Sequence, residues 1–112
     1  MWVFCNDGFL SIVADRNSQD TLLVRARKEG HIQAVFGDVE VTRTPPPKAD
    51  YLYRAFIPRK IAAHVVAKRL MNIDYDNFKD SIPADIASLN YHDACTEVWS
   101  AMYSFQHGEE PR

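Results

Sequence analysis

Leu22-Leu23-Val24-Arg25-Ala26-Arg27 is the stretch on which the reading of this chain turns. Successive side chains of a strand leave opposite faces, so Leu22, Val24 and Ala26 share one side and Leu23, Arg25 and Arg27 the other. The first set predicts a face turned to a core. The second places arginines inside a strand, which is unusual unless they reach solvent or a partner. With Thr21 in front, the predicted strand runs over 21–27.

Working towards the N-terminus, Asp15 to Asp20 is a polar connector. Before it, the apolar runs Trp2–Cys5 and Phe9–Ala14 flank Asn6-Asp7-Gly8. Two β-type runs around Asp-Gly predict a hairpin, because such residues tolerate the positive φ that tight turns require. Towards the C-terminus, Ile32, Val35 and Phe36 fall on one side of a short helix over 28–36, with Gly37 as its stop. Val39 to Arg43 alternates like an edge strand. Pro45-Pro46-Pro47 is an extended loop, since proline lacks the backbone donor. A further strand is predicted from Tyr51 to Ile57.

Pro58 suits the first turn of a helix. Ile61, Ala62, Val65, Val66, Leu70 and Ile73 then form an apolar stripe. Asp74 to Pro83 reads as irregular, with room for one helical turn. A last helix is predicted over 90–106, capped by Asn90 with Asp93 in its first turn. Tyr91, Ala94, Cys95, Val98, Met102 and Phe105 line one face, and Trp99 and Tyr103 widen it. Val98, Met102 and Phe105 are expected to enter the core. Trp99 is expected to pack on the N-terminal hairpin beside Trp2 and Phe4, the other reading being contact with a second chain. Residues from about 107 to 112 read as a loose tail.

Strands first and helices later, with no repeat and no linker, indicate a single α+β domain over 1–112. Its sheet is mostly antiparallel with an N-terminal hairpin, and its helices pack on one face. A ferredoxin-like arrangement is the nearest common fold, although the hairpin and the terminal helix exceed its usual element count. The chain has 112 residues, 46% hydrophobic and 25% charged, as in ordinary globular proteins. A formal charge of −2 argues against general nucleic-acid binding, which needs a basic surface to neutralise phosphates. No apolar run approaches the ~18–20 residues of a membrane span. Met1 to Asp7 carries no basic leader and reads as a true first strand. With only Cys5 and Cys95 as cysteines, the expected setting is the cytoplasm, where both act as small hydrophobes.

The arginines are the first candidate site. Arg25 and Arg27 leave the same face, and Arg54 sits between Leu52 and Phe56 on another strand. If the strands are neighbours, three guanidinium forks converge, a chemistry suited to phosphate and carboxylate oxygens. The plainer reading has them pairing with the acidic segment Asp74-Tyr75-Asp76-Asn77-Phe78-Lys79-Asp80. From that segment Tyr75, Asn77, Lys79 and Asp80 join Arg25, Arg27 and Arg54 as candidate anion- or partner-binding residues. The segment is not a calcium loop: Phe78 offers no side-chain oxygen, Lys79 is not glycine, and Asp85 stands where a bidentate glutamate is needed. Asp and Asn in a loop more often bond their own backbone. His92 and Cys95 have ligand-like spacing, but a structural zinc needs four ligands. No metal and no cofactor is therefore expected. Nucleophile, metalloprotease and phosphate-loop signatures are all missing, so no catalytic residue is singled out and the balance leans away from an enzyme.

A wider pattern joins these pieces: Met1-Trp2-Val3-Phe4 with Gly8-Phe9-Leu10-Ser11, Leu22–Arg27, Asp50-Tyr51 with Tyr53–Phe56, Asp74-Tyr75 with Asn77–Asp80, and Tyr91 with Val98-Trp99 and Met102. It resembles a group of short bacterial and bacteriophage proteins with no settled activity. The resemblance implies a prokaryotic or phage origin. The functional expectation is a small non-catalytic binding or regulatory protein acting through protein–protein contact. In a phage setting that means an inhibitor of a host factor, such as a defence nuclease. The alternative is a small enzyme or sensor binding a phosphate-bearing metabolite or nucleotide through the arginines. A homodimeric module is the third reading.

Overall fold

The structure is a computed structural model that describes residues 1–45, 47, 50–83 and 86–108, without the side chains of 86–89. Its contacts divide the chain into two compact units, Met1–Asp74 and Tyr75–Arg112.

The first unit is an antiparallel sheet. Its strands are β1 (Trp2–Cys5), β2 (Gly8–Asp15), β3 (Ser18–Ala26), β4 (Thr42–Arg43) and β5 (Tyr53–Pro58), in the order β1-β2-β3-β5-β4. This confirms an α+β fold with an N-terminal hairpin; the strand order alone does not make the sheet ferredoxin-like. The helices of this unit are α1 (His31–Phe36) and α2 (Arg59–Met71). Both pack on one sheet face, where Leu10, Ile12, Val24, Ala26, Ala55 and Ile57 meet Ile32, Val35 and Ala62. The alternation in β3 decides this: Val24 and Ala26 are fully buried, Leu22 packs partly against them, and Arg25 leaves the other side.

The sequence underestimates β3. The polar connector is a second hairpin, with only Arg16 and Asn17 between strands and a register shift at Ala14/Asp15. The Asp15 carboxylate accepts the Asn17 N–H at 2.9 Å, an Asx turn that closes the loop. Gln19 and Asp20 are exposed strand residues, so their polarity hides the pairing. Strand β4 is shorter than expected. Only Thr42 and Arg43 pair with β5, while Val39 and Val41 turn to the core. Helix α1 starts three residues late because Gly30 sits at φ 92°, outside helical space. Gly37 ends it as expected, at φ 76° with its N–H on the Gln33 carbonyl.

Gly8 is favoured for a reason other than turn conformation. A Cβ there would lie 3.0 Å from His31 Cγ and 3.2 Å from His31 Cα, so α1 would have to give way by a few tenths of an ångström to admit a side chain. In α2 the apolar stripe is narrower than its sequence implies. Ala62 is buried and Val65 partly so, whereas Ile61, Leu70 and Ile73 are 53%, 65% and 48% exposed. At 3.6 residues per turn Arg69, two turns on from Ala62, shares its side, and Ile61 and Leu70 fall on the flanks.

The second unit holds a 3-10 turn (Lys79–Ser81) packed against helix α3 (Ile86–Gln106). The turn is the one anticipated in the acidic segment. Because α3 starts before Asn90, that residue is interior and not a cap, and Asp93 lies beyond the first turn. Pro46, Asp85 and Glu109 to Arg112, named in the readings of the proline loop, the calcium loop and the tail, lie outside the described residues.

The expected burial of α3 is overturned. Val98, Met102 and Phe105 are 38%, 57% and 67% exposed, and Trp99 is 52% exposed. Apolar spacing on a helix marks a face but does not say what covers it. No described helix is long and apolar enough to cross a membrane.

Candidate functional site

Strand register assembles the arginine row. Trp2 lies opposite Ser11, Ser11 opposite Arg25, Arg25 opposite Arg54, and Arg54 opposite Thr42. All leave the sheet on the side away from α1 and α2, because each alternates with a core residue. On one side of the row Val13, Leu23 and Phe56 are paired across the strands. On the other, Phe4 stacks on Phe9 at 4.5 Å and Trp2 meets Phe9 edge-on at 5.7 Å.

Arg25 donates from Nη2 to Ser11 Oγ at 2.9 Å. Its guanidinium also lies over the Tyr51 ring, 4.5 Å from the centroid, and that of Arg27 lies 4.1 Å from the same ring. Tyr51 is only 5% exposed, so a fixed aromatic plate orients both cations. Arg27 finds its carboxylate in Asp50, at 3.2 Å, and also donates to the Asp50 carbonyl. The Nε atoms of Arg25 and Arg54 are buried without a hydrogen-bond acceptor among the described residues.

The three arginines named from sequence are therefore neighbours, two of them directly opposite each other. Sequence reasoning missed Tyr51, Ser11 and Asp50. Tyr51 offered a signal, an aromatic three residues ahead of Arg54; Ser11, a small polar residue in an apolar run, offered a fainter one.

Tyr75, Asn77, Lys79 and Asp80 belong to the second unit. Asn77 Oδ1 accepts the Asp80 N–H at 3.0 Å, the self-bonding expected of a polar loop. The Tyr75 and Phe78 rings lie 6.2 Å apart. Lys79 Nζ sits 4.6 Å above the Trp99 ring, and Trp99 stacks on Tyr103 at 5.2 Å. Lys79 thus touches the exposed apolar half of α3.

A second polar cluster pins the β1–β2 turn. Arg69 holds both Asp7 carboxylate oxygens at 3.0 Å and donates to the Ala34 carbonyl at 2.7 Å. His31 Nδ1 accepts the Phe9 N–H at 3.1 Å, and burial holds its pKa below the ordinary value of 6.5. Burial pushes the Cys5 and Cys95 thiols up, and the two cysteines form no disulfide. Among the described residues no three His, Cys, Asp or Glu side chains gather as metal ligands.

Comparison of the chain with protein-family models, with curated proteins and with solved structures finds no match.

Proposed function

We propose that this is a small non-catalytic binding protein that acts through contact with another protein, and that the C-terminal half of α3 is its apolar contact face. The observation that carries the reading is the exposure of Val98, Trp99, Met102, Tyr103 and Phe105 on a single helix. At 3.6 residues per turn they span an arc of about 160°. Scattered apolar residues on a surface are ordinary, but a contiguous face of this kind marks interaction sites. Trp and Tyr supply large rigid area and dominate binding hot spots. Lys79 above Trp99 adds a charged border to the patch.

Two cysteines without a disulfide suit a reducing cytoplasm. In the bacterial or phage setting that the sequence resemblance implies, the partner is a host protein. Trp99→Ala and Met102→Ala test the reading in the full chain. Both variants should melt like wild type, within about 0.5 kcal/mol, as surface substitutions do. Both should also fail to retain the protein that the wild-type chain captures from a bacterial lysate. Light scattering on the same samples tells a second copy of this chain from a foreign partner. Variants that lose the fold, or that keep the captured protein, would overturn the proposal.

A further inference from the structure

Arg25 and Arg54 face each other across β3 and β5 on one side of the sheet. Like charges directly opposite in a sheet repel, and half-buried charges carry a desolvation cost unless compensated. Arg27, nearby on the same strand, has Asp50. Among the described residues of the sheet unit, the partners of the Arg25 guanidinium are the neutral Ser11 hydroxyl and the Tyr51 ring. Arg54 has no ion pair among the described residues of that unit. The Nε atoms of both arginines lack an acceptor among the described residues. The row therefore holds two cations close together with donor capacity in excess and, among the described residues of the sheet unit, no carboxylate paired with either.

We propose that the Arg25–Arg54 pair binds the phosphate group of a phosphate monoester. Two features favour phosphate over a single carboxylate. A monoester carries about −1.5 to −2 charges near neutrality, which matches two guanidiniums. Its several acceptor oxygens suit two forks better than the two oxygens of a carboxylate. Ser11, buried beneath the row, accepts from Arg25 and helps to hold its fork in place. Tyr51 holds one face of the Arg25 guanidinium, so the fork is oriented before the ligand arrives.

The test uses the full chain and inorganic phosphate at constant ionic strength, with chloride as the control salt. Phosphate should raise the melting temperature saturably and shift the backbone amide resonances of Ser11, Arg25, Tyr51 and Arg54. Arg54→Gln should weaken phosphate binding at least ~10-fold, the loss of one charge-assisted contact. If Arg54→Gln does not fold, Arg54→Lys serves: it keeps the charge, loses the fork, and should also weaken binding. Equal effects of phosphate and chloride would sink the proposal. So would phosphate binding that Arg54→Gln or Arg54→Lys leaves intact. Succinate binding tighter than phosphate would overturn the assignment to phosphate.

Discussion

Helix α1 has six residues and buries Ile32 and Val35 in the core of the sheet; helix α3 has 21 and leaves the apolar face of its C-terminal half exposed. The two faces look alike in sequence, each with apolar residues three and four apart. Periodicity identifies a face that needs cover. The cover itself is a tertiary property, and on α1 it is the sheet. The amount of apolar sequence is therefore a poor guide to which helix stabilises the fold.

The largest effect is expected at Ile32. Ile32→Ala should cost about 2–5 kcal/mol in a urea melt, because a fully enclosed side chain leaves a cavity. A cost near zero would mean that α1 is not an integral part of the core. Gly8→Ala should come next, at about 1–3 kcal/mol, since the added methyl meets the Cα, Cβ and Cγ of His31 and the helix must shift. An unchanged midpoint for this variant would show that α1 yields freely.

His31 sharpens the same contact by pH. Only the neutral ring can accept the Phe9 N–H at Nδ1, and burial lowers the folded pKa below the ordinary 6.5. Between those two values the unfolded chain binds the extra proton. The stability this group contributes is thus complete above 6.5 and is lost as pH falls through the folded value. Urea melts at about pH 8 and about pH 5 should show wild type weaker in acid. His31→Gln should reduce that difference.

Asp7→Ala should be milder, at most about 1 kcal/mol. The Asp7–Arg69 pair is bidentate, but both side chains are about a third exposed, so solvent screens the gain. A larger loss would reveal that the clamp on the β1–β2 turn is needed to seat α1. The smallest effect is expected on α3 itself: Met102→Ser should change stability by no more than about 0.5 kcal/mol. A loss comparable with that of Ile32→Ala would abolish the contrast between the helices.

Much of the sheet was legible in the residues. Val24 and Ala26 alternate with Leu23 and Arg25, and that period of two assigns both faces of β3. The β1–β2 hairpin, the stop at Gly37 and the turn in the acidic segment were equally local, each set by a few adjacent residues. The second hairpin was not, because Ser18, Gln19 and Asp20 are held in β3 by pairing partners and have no apolar signature of their own. Of the candidate site, the arginines were legible as residues out of place in a strand. Their meeting was not.

What the sequence by itself determined is everything that depends on neighbours in the chain: the face each strand residue takes, the turns that glycine and Asx residues permit, and the arginines set apart from the core. What only the tertiary structure decided is everything that depends on register between distant segments. Arg25 stands opposite Arg54 because β3 pairs with β5 across an insertion containing α1 and β4. Tyr51 lies under Arg25 and Arg27 for the same reason, and a side chain at Gly8 would crowd His31 because α1 passes close to it. The physical cause is common to all three. Local preferences act through a few bonds, whereas cross-strand pairing and close packing are selected by the energy of the whole sheet and its core.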